Sequence, residues 1–333
     1  MSTFKALRVH RSANGFRARF DQVSLDDLTP GEVVIRIAYS CINYKDALAV
    51  TGKAPIVRGA VRTAGIDLSG VVESGGDSHF APGERVLVTG SNIGESLDGG
   101  FAQFARVPAQ AVVPLPPALS LFDAMVLGTA GFTAAMAVWR MQQNHQVADH
   151  GAIAVTGPTG GVGSIALAIL KQAGFATAAI TGKADAADYL QRMGADEVVN
   201  RHALDLGSKP LESARWGGAV DNLGGRTLAY LMRTVRPWGN IACIGLAESA
   251  SFEATVMPLI LRGVSLLGIH SGEVPRNWRL TLWQKLAAEW RLESLGDRLV
   301  RDVIDLERIP EMCAELIAGR ALGRYVVRIG GDL

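Results

Sequence analysis

The stretch that most constrains this chain runs Ala154-Val155-Thr156-Gly157-Pro158-Thr159-Gly160-Gly161-Val162-Gly163. An apolar, β-branched run from Ile153 to Thr156 enters a glycine-rich turn, and the segment from Ser164 to Lys171 leaves it with helical character. Glycines lack Cβ, so the backbone can turn tightly and a phosphate can approach the N–H groups at the helix start. Strand, turn and helix in that order make a phosphate cradle of the dinucleotide-binding type. The usual G-x-G-x-x-G has Pro158 in its first place, with Gly160 and Gly163 in the second and third.

At 333 residues the chain has room for two domains and a large core. Apolar residues make up 48% and charged residues 20%, the balance of an ordered globular enzyme rather than a disordered chain. A formal net charge of +1 offers no field for nucleic acid or an anionic membrane surface, so neither partner is expected. Cys41, Cys243 and Cys313 stand far apart in apolar surroundings, which reads as reduced, buried thiols. The N-terminal segment has no apolar signal core. The longest apolar region, Ala124 to Trp139, is interrupted by Gly128 and Gly131 and falls short of the roughly 20 residues of a membrane span. A cytoplasmic protein is the expectation.

Short alternating runs fill the first third of the chain. Lys5 to Val9, Glu32 to Tyr39, Gly70 to Glu73, Arg85 to Val88 and Phe101 to Val107 read as strands. A helix is predicted from Leu121 to about Gln142. From Gly151 strands and helices alternate, with strands at Ala152–Thr156, Thr177–Thr181, Glu197–Val199, Ala219–Asn222, Asn240–Ile244 and Ser265–Ile269. Repeated βα units specify a doubly wound parallel sheet. The tail from about Asp302 returns to a β reading and ends in the strand Arg324–Ile329. The expected division is 1–125 plus 302–333 for a mostly β domain, and 126–301 for a nucleotide domain inserted into it.

Several signatures stand in a fixed order. They are Pro30-Gly31-Glu32-Val33, Asn43-Tyr44-Lys45-Asp46, Ala64-Gly65-Ile66-Asp67, Pro82-Gly83-Glu84-Arg85-Val86, Leu127-Gly128-Thr129-Ala130-Gly131 and the glycine turn at Thr159–Gly163. Together they resemble the medium-chain dehydrogenase/reductase superfamily over essentially the whole chain. The resemblance implies an α/β fold, a Rossmann domain inserted into a GroES-like catalytic domain. The segment Asn43 to Lys53, Ser164, Thr181-Gly182-Lys183 and Gly268-Ile269-His270-Ser271 resemble the zinc-free, quinone-oxidoreductase-like branch, and within it the NADPH-dependent acrylyl-CoA reductases. Lys183 departs from the arginine more common there, and His270 from an aspartate.

Zinc-dependent relatives bind the metal through cysteine and histidine. At the matching positions this chain has Asn43, and Ile66-Asp67 in place of His-Glu, and no cysteine lobe lies between Gly90 and Gly100. A metal-free enzyme is expected, and reduction of a conjugated C=C bond is favoured over alcohol oxidation.

An acidic residue about 20 positions past the glycines would accept a ribose 2′-OH. Thr181-Gly182-Lys183 stands there instead, a hydroxyl and an ammonium suited to a 2′-phosphate, so NADPH is the expected cofactor. By resemblance Arg201 is a second phosphate cation. Leu246, Ile260, Ser271 and the backbone near Gly319 line the cofactor, although core packing explains Ile260 equally well. Thr159, Gly160, Gly161, Val162 and Gly163 form the cradle.

Resemblance sets Tyr44 against the cofactor. It is the candidate catalytic residue, free to position the ring, to donate a proton, or to do neither. Asn43 and Arg324 are candidate substrate contacts, with Arg58, Arg62 and Arg276 further cations for a CoA phosphate. Asp46 either holds Lys45 or a turn, or takes part in catalysis, and Asp67 satisfies local backbone donors. The implied reaction is NADPH-dependent reduction of acrylyl-CoA, or a similarly short enoyl-CoA, to propanoyl-CoA. A quinone or enone reductase and a non-catalytic NADPH sensor are the alternatives. Relatives pair the strand Ser265–Ile269 across a two-fold axis, so a homodimer is expected.

Overall fold

A computed structural model describes residues 3–13 and 15–331 of the chain. Its contacts divide it into one unit of Met1–Thr129, Ser271–Ala288 and Ser294–Leu333, and another of Ala130–His270 and Glu289–Glu293.

The first unit opens with β1 (Phe4–Ser12) and β2 (Gly15–Val23), an antiparallel pair with Phe4 opposite Val23. No apolar run announces β2, because it lies largely exposed and carries Arg17, Arg19 and Asp21. Then follow β3 (Val33–Cys41), α1 (Tyr44–Val50), β4 (Val61–Thr63), β5 (Asp67–Ser74), β6 (Arg85–Thr89), β7 (Phe104–Val107), β8 (Val113–Pro114) and the start of α2 (Leu121–Gln143), whose residues from Ala130 on belong to the other unit. Helix α2 leaves helical geometry at Gly128 (φ 52°, ψ −156°). Only glycine adopts that pair of angles without strain. This helix runs beyond the apolar region read from the sequence and is long and apolar enough to cross a membrane, yet 83% of its apolar window is buried inside the protein.

The second unit holds β9 (Ile153–Thr156), α3 (Gly161–Gln172), β10 (Thr177–Thr181), α4 (Ala187–Arg192) and β11 (Glu197–Asn200). It continues with β12 (Gly218–Asp221), α5 (Gly225–Thr234), β13 (Asn240–Cys243), α6 (Met257–Arg262) and β14 (Ser265–Gly268). Its six strands are all parallel in the order β11-β10-β9-β12-β13-β14. That is the doubly wound arrangement, whose strand order reverses between β9 and β12. Sheets covered on both faces read as unbroken apolar runs. Ile153, Ala154 and Val155 accordingly have no exposed surface, and Ala178, Ile180, Trp216, Leu231 and Ile241 pack with Ala154 in one core cluster.

The chain returns to the first unit through α7 (Arg276–Ala287), α8 (Leu295–Leu299), β15 (Val300–Asp305), α9 (Ile309–Ile317) and β16 (Arg324–Arg328). Its larger sheet runs β15-β16-β3-β5-β6-β8, with β7 also on β3. The expected boundary at residue 302 differs from this division. Arg276 and Arg279 of α7 donate to the carbonyls of Gln110, Val112 and Thr89, which ties 271–288 to the β unit well before the chain re-enters its sheet.

Candidate active site

In the second unit the glycine turn joins β9 to α3 at the point where the strand order reverses. The tight turn is made by Gly157 (φ +57°), one place before Pro158, so the motif keeps its bend although its usual first glycine is absent. A Cβ on Gly163 would lie 2.5 Å from the Gly157 oxygen and 2.7 Å from Pro158 Cα, so only glycine lets α3 start this close to the turn. The cap of α3 is Gly160, whose lack of a side chain leaves the first N–H groups of the helix without a capping acceptor. Those donors, together with the positive end of the helix dipole, suit a pyrophosphate. Ser164 secures the turn from inside, its hydroxyl donating to the Pro158 oxygen (2.8 Å) and sharing a hydrogen bond with Tyr189 (2.8 Å).

The neighbouring strand ends are cross-tied. Thr156 Oγ1 donates to the buried Asp221 carboxylate (2.7 Å), and Asn222 Nδ2 donates to the Thr156 oxygen (2.8 Å). Asp221 also accepts from the Gly224 N–H (2.8 Å), and burial raises its pKa. At the end of β10, Thr181 Oγ1 accepts the Lys183 N–H (3.0 Å). Lys183 is half-buried, and desolvation draws its pKa down against the field of Asp185. An ideal Cβ on Gly182 would stand 2.9 Å from His202 Nε2 and 3.5 Å from Arg201 Nη2. Arg201 and His202 also line a cavity of about 520 Å³ with Arg226, Thr227 and Glu248. The structure therefore brings Gly182 and Arg201 together and adds His202, which the sequence did not single out.

The chemistry of the first unit centres on a buried polar cluster. Asp67 Oδ2 accepts from Asn43 Nδ2 (2.8 Å), the Thr129 N–H (2.7 Å) and the Cys41 thiol (3.2 Å), while Oδ1 accepts from Thr129 Oγ1. Arg324 donates to Asn43 Oδ1 (3.0 Å), Cys41 Sγ (2.9 Å) and the carbonyls of Ile42 and Val126 (both 3.2 Å). Both ends of the Asn43 amide are thus fixed by opposite charges. Asp46 accepts from the backbone N–H groups of Asn43 and Ile66 (both 2.9 Å). Lys45 pairs with Glu95 instead (2.8 Å), so Asp46 holds the turn and not the lysine. A Cβ on Gly128 would fall 2.6 Å from Asp67 Oδ2 and 2.8 Å from Arg324 Nη2, so the break in α2 is what lets its backbone meet the cluster.

Tyr44 opens α1 directly after Asn43 and is 49% exposed. Ser271 and Gly319 also belong to the first unit, and Gly319 ends α9 with φ +72°. Leu246 and Ile260, in the second unit, are 62% and 71% exposed, which removes core packing as the explanation of Ile260. Arg324 requires a correction. It is buried (3% exposed) with its guanidinium turned into the cluster, so it holds Asn43 and is not a surface cation for a substrate phosphate. Asn43 is likewise enclosed. Arg62 donates to the oxygens of Ser96 and Val61, whereas Arg58 is exposed.

Known proteins match both parts of the chain. A family model described as zinc-binding dehydrogenase matches residues 161–288, and one described as alcohol dehydrogenase GroES-like domain matches residues 29–117. The chain is 42% identical over 331 residues to a Bacillus subtilis protein provisionally named quinone oxidoreductase YhfP, covering 99% of this chain and 100% of that protein. It is 40% identical over 329 residues to the acrylyl-CoA reductase AcuI of Ruegeria pomeroyi, covering 98% and 99%. The crystal structure of B. subtilis yhfP with NAD bound superposes with TM-score 0.95 at 41% identity, covering 98% of this chain and 100% of that one. The yhdH oxidoreductase of Salmonella enterica in complex with NADP superposes with TM-score 0.94 at 36% identity, covering 98% and 99%.

The first family description names zinc, and the residues here do not fit that ion. Where a zinc ligand set would need thiolate and imidazole, the cluster offers an amide, a thiol that burial keeps protonated, a carboxylate already accepting four hydrogen bonds and a guanidinium carrying its own positive charge. Among the described residues no group of three or more His, Cys, Asp or Glu side chains is arranged to hold a metal.

Burial, reinforced by the neighbouring Asp67 charge, lifts Asp46 from 3.8 to about 7. A carboxyl whose folded pKa is raised contributes stability fully below its unfolded pKa and loses it as pH rises from about 4 through about 7. The Asp46→Asn penalty in urea unfolding is therefore expected to be larger at pH 5 than at pH 8. Equal penalties would mean that the folded carboxyl titrates at its ordinary value.

Proposed function

Because the chain belongs to the medium-chain dehydrogenase/reductase superfamily of oxidoreductases, we propose that it reduces the C=C bond of acrylyl-CoA to propanoyl-CoA with NADPH and no metal. The observation that carries this reading is the Asn43–Asp67–Arg324 cluster, a closed hydrogen-bond network in which Asn43 and Asp67 stand, by resemblance, at positions where zinc-dependent relatives have Cys and the Glu of His-Glu. With no Lewis acid provided for, an alcohol would not be activated, whereas a conjugated thioester needs only a hydride and a proton. The 40% identity to an acrylyl-CoA reductase over nearly the full length supports the same choice.

When bound, NADPH supplies the hydride. In this reading the α3 N-terminus and the turn from Thr159 to Gly163 hold the pyrophosphate, while Thr181, Lys183 and Arg201 receive the 2′-phosphate. Leu246, Ile260, Ser271 and the backbone at Gly319 border the rest of the cofactor. Tyr44 is assigned to the reacting end, on an α1 start that Asn43, Asp46 and Asp67 keep in one geometry. A fixed helix start presents the phenol without reorganisation of the backbone that carries it.

A homodimer fits the edge of the parallel sheet. Strand β14 is its last strand, and Leu266, Leu259, Leu261, Val256 and Trp238 leave an apolar surface around it. An open edge with apolar neighbours is stabilised by pairing with a second copy. Leu266→Arg is expected to convert a dimer into a monomer in sedimentation. A wild type that already sediments as a monomer would remove the proposal.

The cofactor assignment predicts that Lys183→Ala lowers the ratio of NADPH to NADH affinity about tenfold, the worth of one charge-assisted contact. The ratio is read by fluorescence titration. This arm is needed because the Bacillus relative was crystallised with NAD. An unchanged ratio would take Lys183 out of the phosphate site.

For the substrate, oxidation of NADPH is followed with acrylyl-CoA, crotonyl-CoA and benzoquinone. Preference for acrylyl-CoA is expected. Turnover of benzoquinone alone would favour the quinone oxidoreductase reading, which the 42% identity to the Bacillus protein keeps in view. Tight NADPH binding without turnover of any acceptor would point to the sensor.

A further inference from the structure

A second cavity, of about 530 Å³, lies wholly within the first unit, and none of the residues assigned above to the nucleotide lines it. Ser91, Asn92, Gln110, Gly272, Arg276 and Arg279 form its walls. Two guanidiniums thus share it with one carboxylate, Glu273, which accepts a hydrogen bond from Asn92 (3.1 Å). Both arginines donate to backbone carbonyls. Arg279, 3% exposed, donates to the Thr89 oxygen (2.6 Å) and the Gly272 oxygen (3.0 Å). Arg276 donates from Nη1 to the oxygens of Gln110 (2.8 Å) and Val112 (2.9 Å). Burial, with the adjacent Arg276 charge, lowers Arg279 to about 10 against the opposing field of Asp67. A wall that keeps two like charges this close attracts an anion.

The wall is also continuous with the residues assigned to the reaction. Thr89, which anchors Arg279, stands opposite Asp67 in the β5–β6 register. Glu95, on the loop that carries Ser91 and Asn92, binds Lys45 beside Tyr44. Gly272 follows Ser271 in sequence and accepts the Ser91 N–H (3.0 Å). Ser91 and Asn92 both hold φ in the left-handed region (+53° and +65°).

We propose that this cavity seats a phosphate of the CoA moiety, with Arg276 as the contact and Arg279 as the fixed charge behind it. The inference rests on the enoyl-thioester reading. Both side-chain hydrogen bonds of Arg276 among the described residues leave from Nη1, so the Nε–Nη2 edge remains to fork onto phosphate oxygens. A free inorganic anion has the same chemistry, and the test separates the two.

The measurement compares kcat/KM for acrylyl-CoA with that for acrylyl-pantetheine, which carries the same thioester and no phosphate. It is made in the wild type, Arg276→Gln and Gln110→Glu. The second variant keeps the backbone oxygen that Arg276 uses, so it serves even if the first folds poorly. The wild type is expected to prefer the CoA ester, and each variant to lower that preference about tenfold. Free 3′,5′-ADP is expected to compete with acrylyl-CoA in the wild type and less well in the variants. Equal use of both esters by the wild type, or an unaltered preference in both variants, overturns the proposal while leaving the thioester reading intact. Inhibition by inorganic phosphate without discrimination between the esters would give the cavity to a free anion instead. Reduction of neither ester, with benzoquinone turned over, would end the thioester reading and this inference together.

Discussion

Asp67 and Arg324 are buried charges of opposite sign that reach one another through shared partners, the Asn43 amide and the Cys41 thiol. Four separate elements must arrive in register for this to occur. They are the end of β3, the start of β5, the break in α2 and the start of β16. A buried ion of either sign left alone would cost several kcal/mol, so each segment is held where the others need it. The cluster accordingly acts less as a source of net stability than as a selector of one arrangement. Gly128 is the clearest sign of that selection, because the backbone there leaves the helix and any side chain would occupy the space the charges use.

Asp46 is the part of this cluster that can change state. Its pKa near 7 comes from burial first and from the Asp67 charge beside it second, against the backbone donors of Asn43 and Ile66. The start of α1, and with it Tyr44, therefore rests on a carboxyl whose charge depends on its burial more than on its identity. The same logic separates the cysteines. Burial raises the pKa of all three thiols, which makes them packing residues under ordinary conditions.

The second unit achieves its chemistry without buried charge pairs. Backbone donors at an uncapped helix start, a glycine with no room for Cβ and a cross-tied pair of strand ends make a rigid polar cradle from the main chain itself. In the proposed reading, specificity is left to a few side chains at the ends of β10 and β11. Lys183 was visible in the sequence as a cation at a strand end, and Arg201 through the resemblance. His202 was not, since nothing in its sequence neighbourhood shows that a missing Cβ at Gly182 opens the space beside its ring.

What the sequence by itself determined was whatever follows from local pattern. The six parallel strands and the glycine turn were legible because a doubly covered sheet demands continuous apolar runs and a phosphate turn demands glycine. Strand β2 escaped because an exposed strand has no apolar face to reveal it. The attachment of 271–288 to the β unit escaped too, because it depends on arginine side chains meeting distant carbonyls. Tertiary structure alone decided the fate of Arg324, read as a substrate cation and found as an interior tether, and it alone assembled the two-arginine cavity. The physical reason is the same in both cases. A charge's role depends on which desolvated partners the fold brings to it, and for Arg324 those partners lie nearly the whole chain away in sequence.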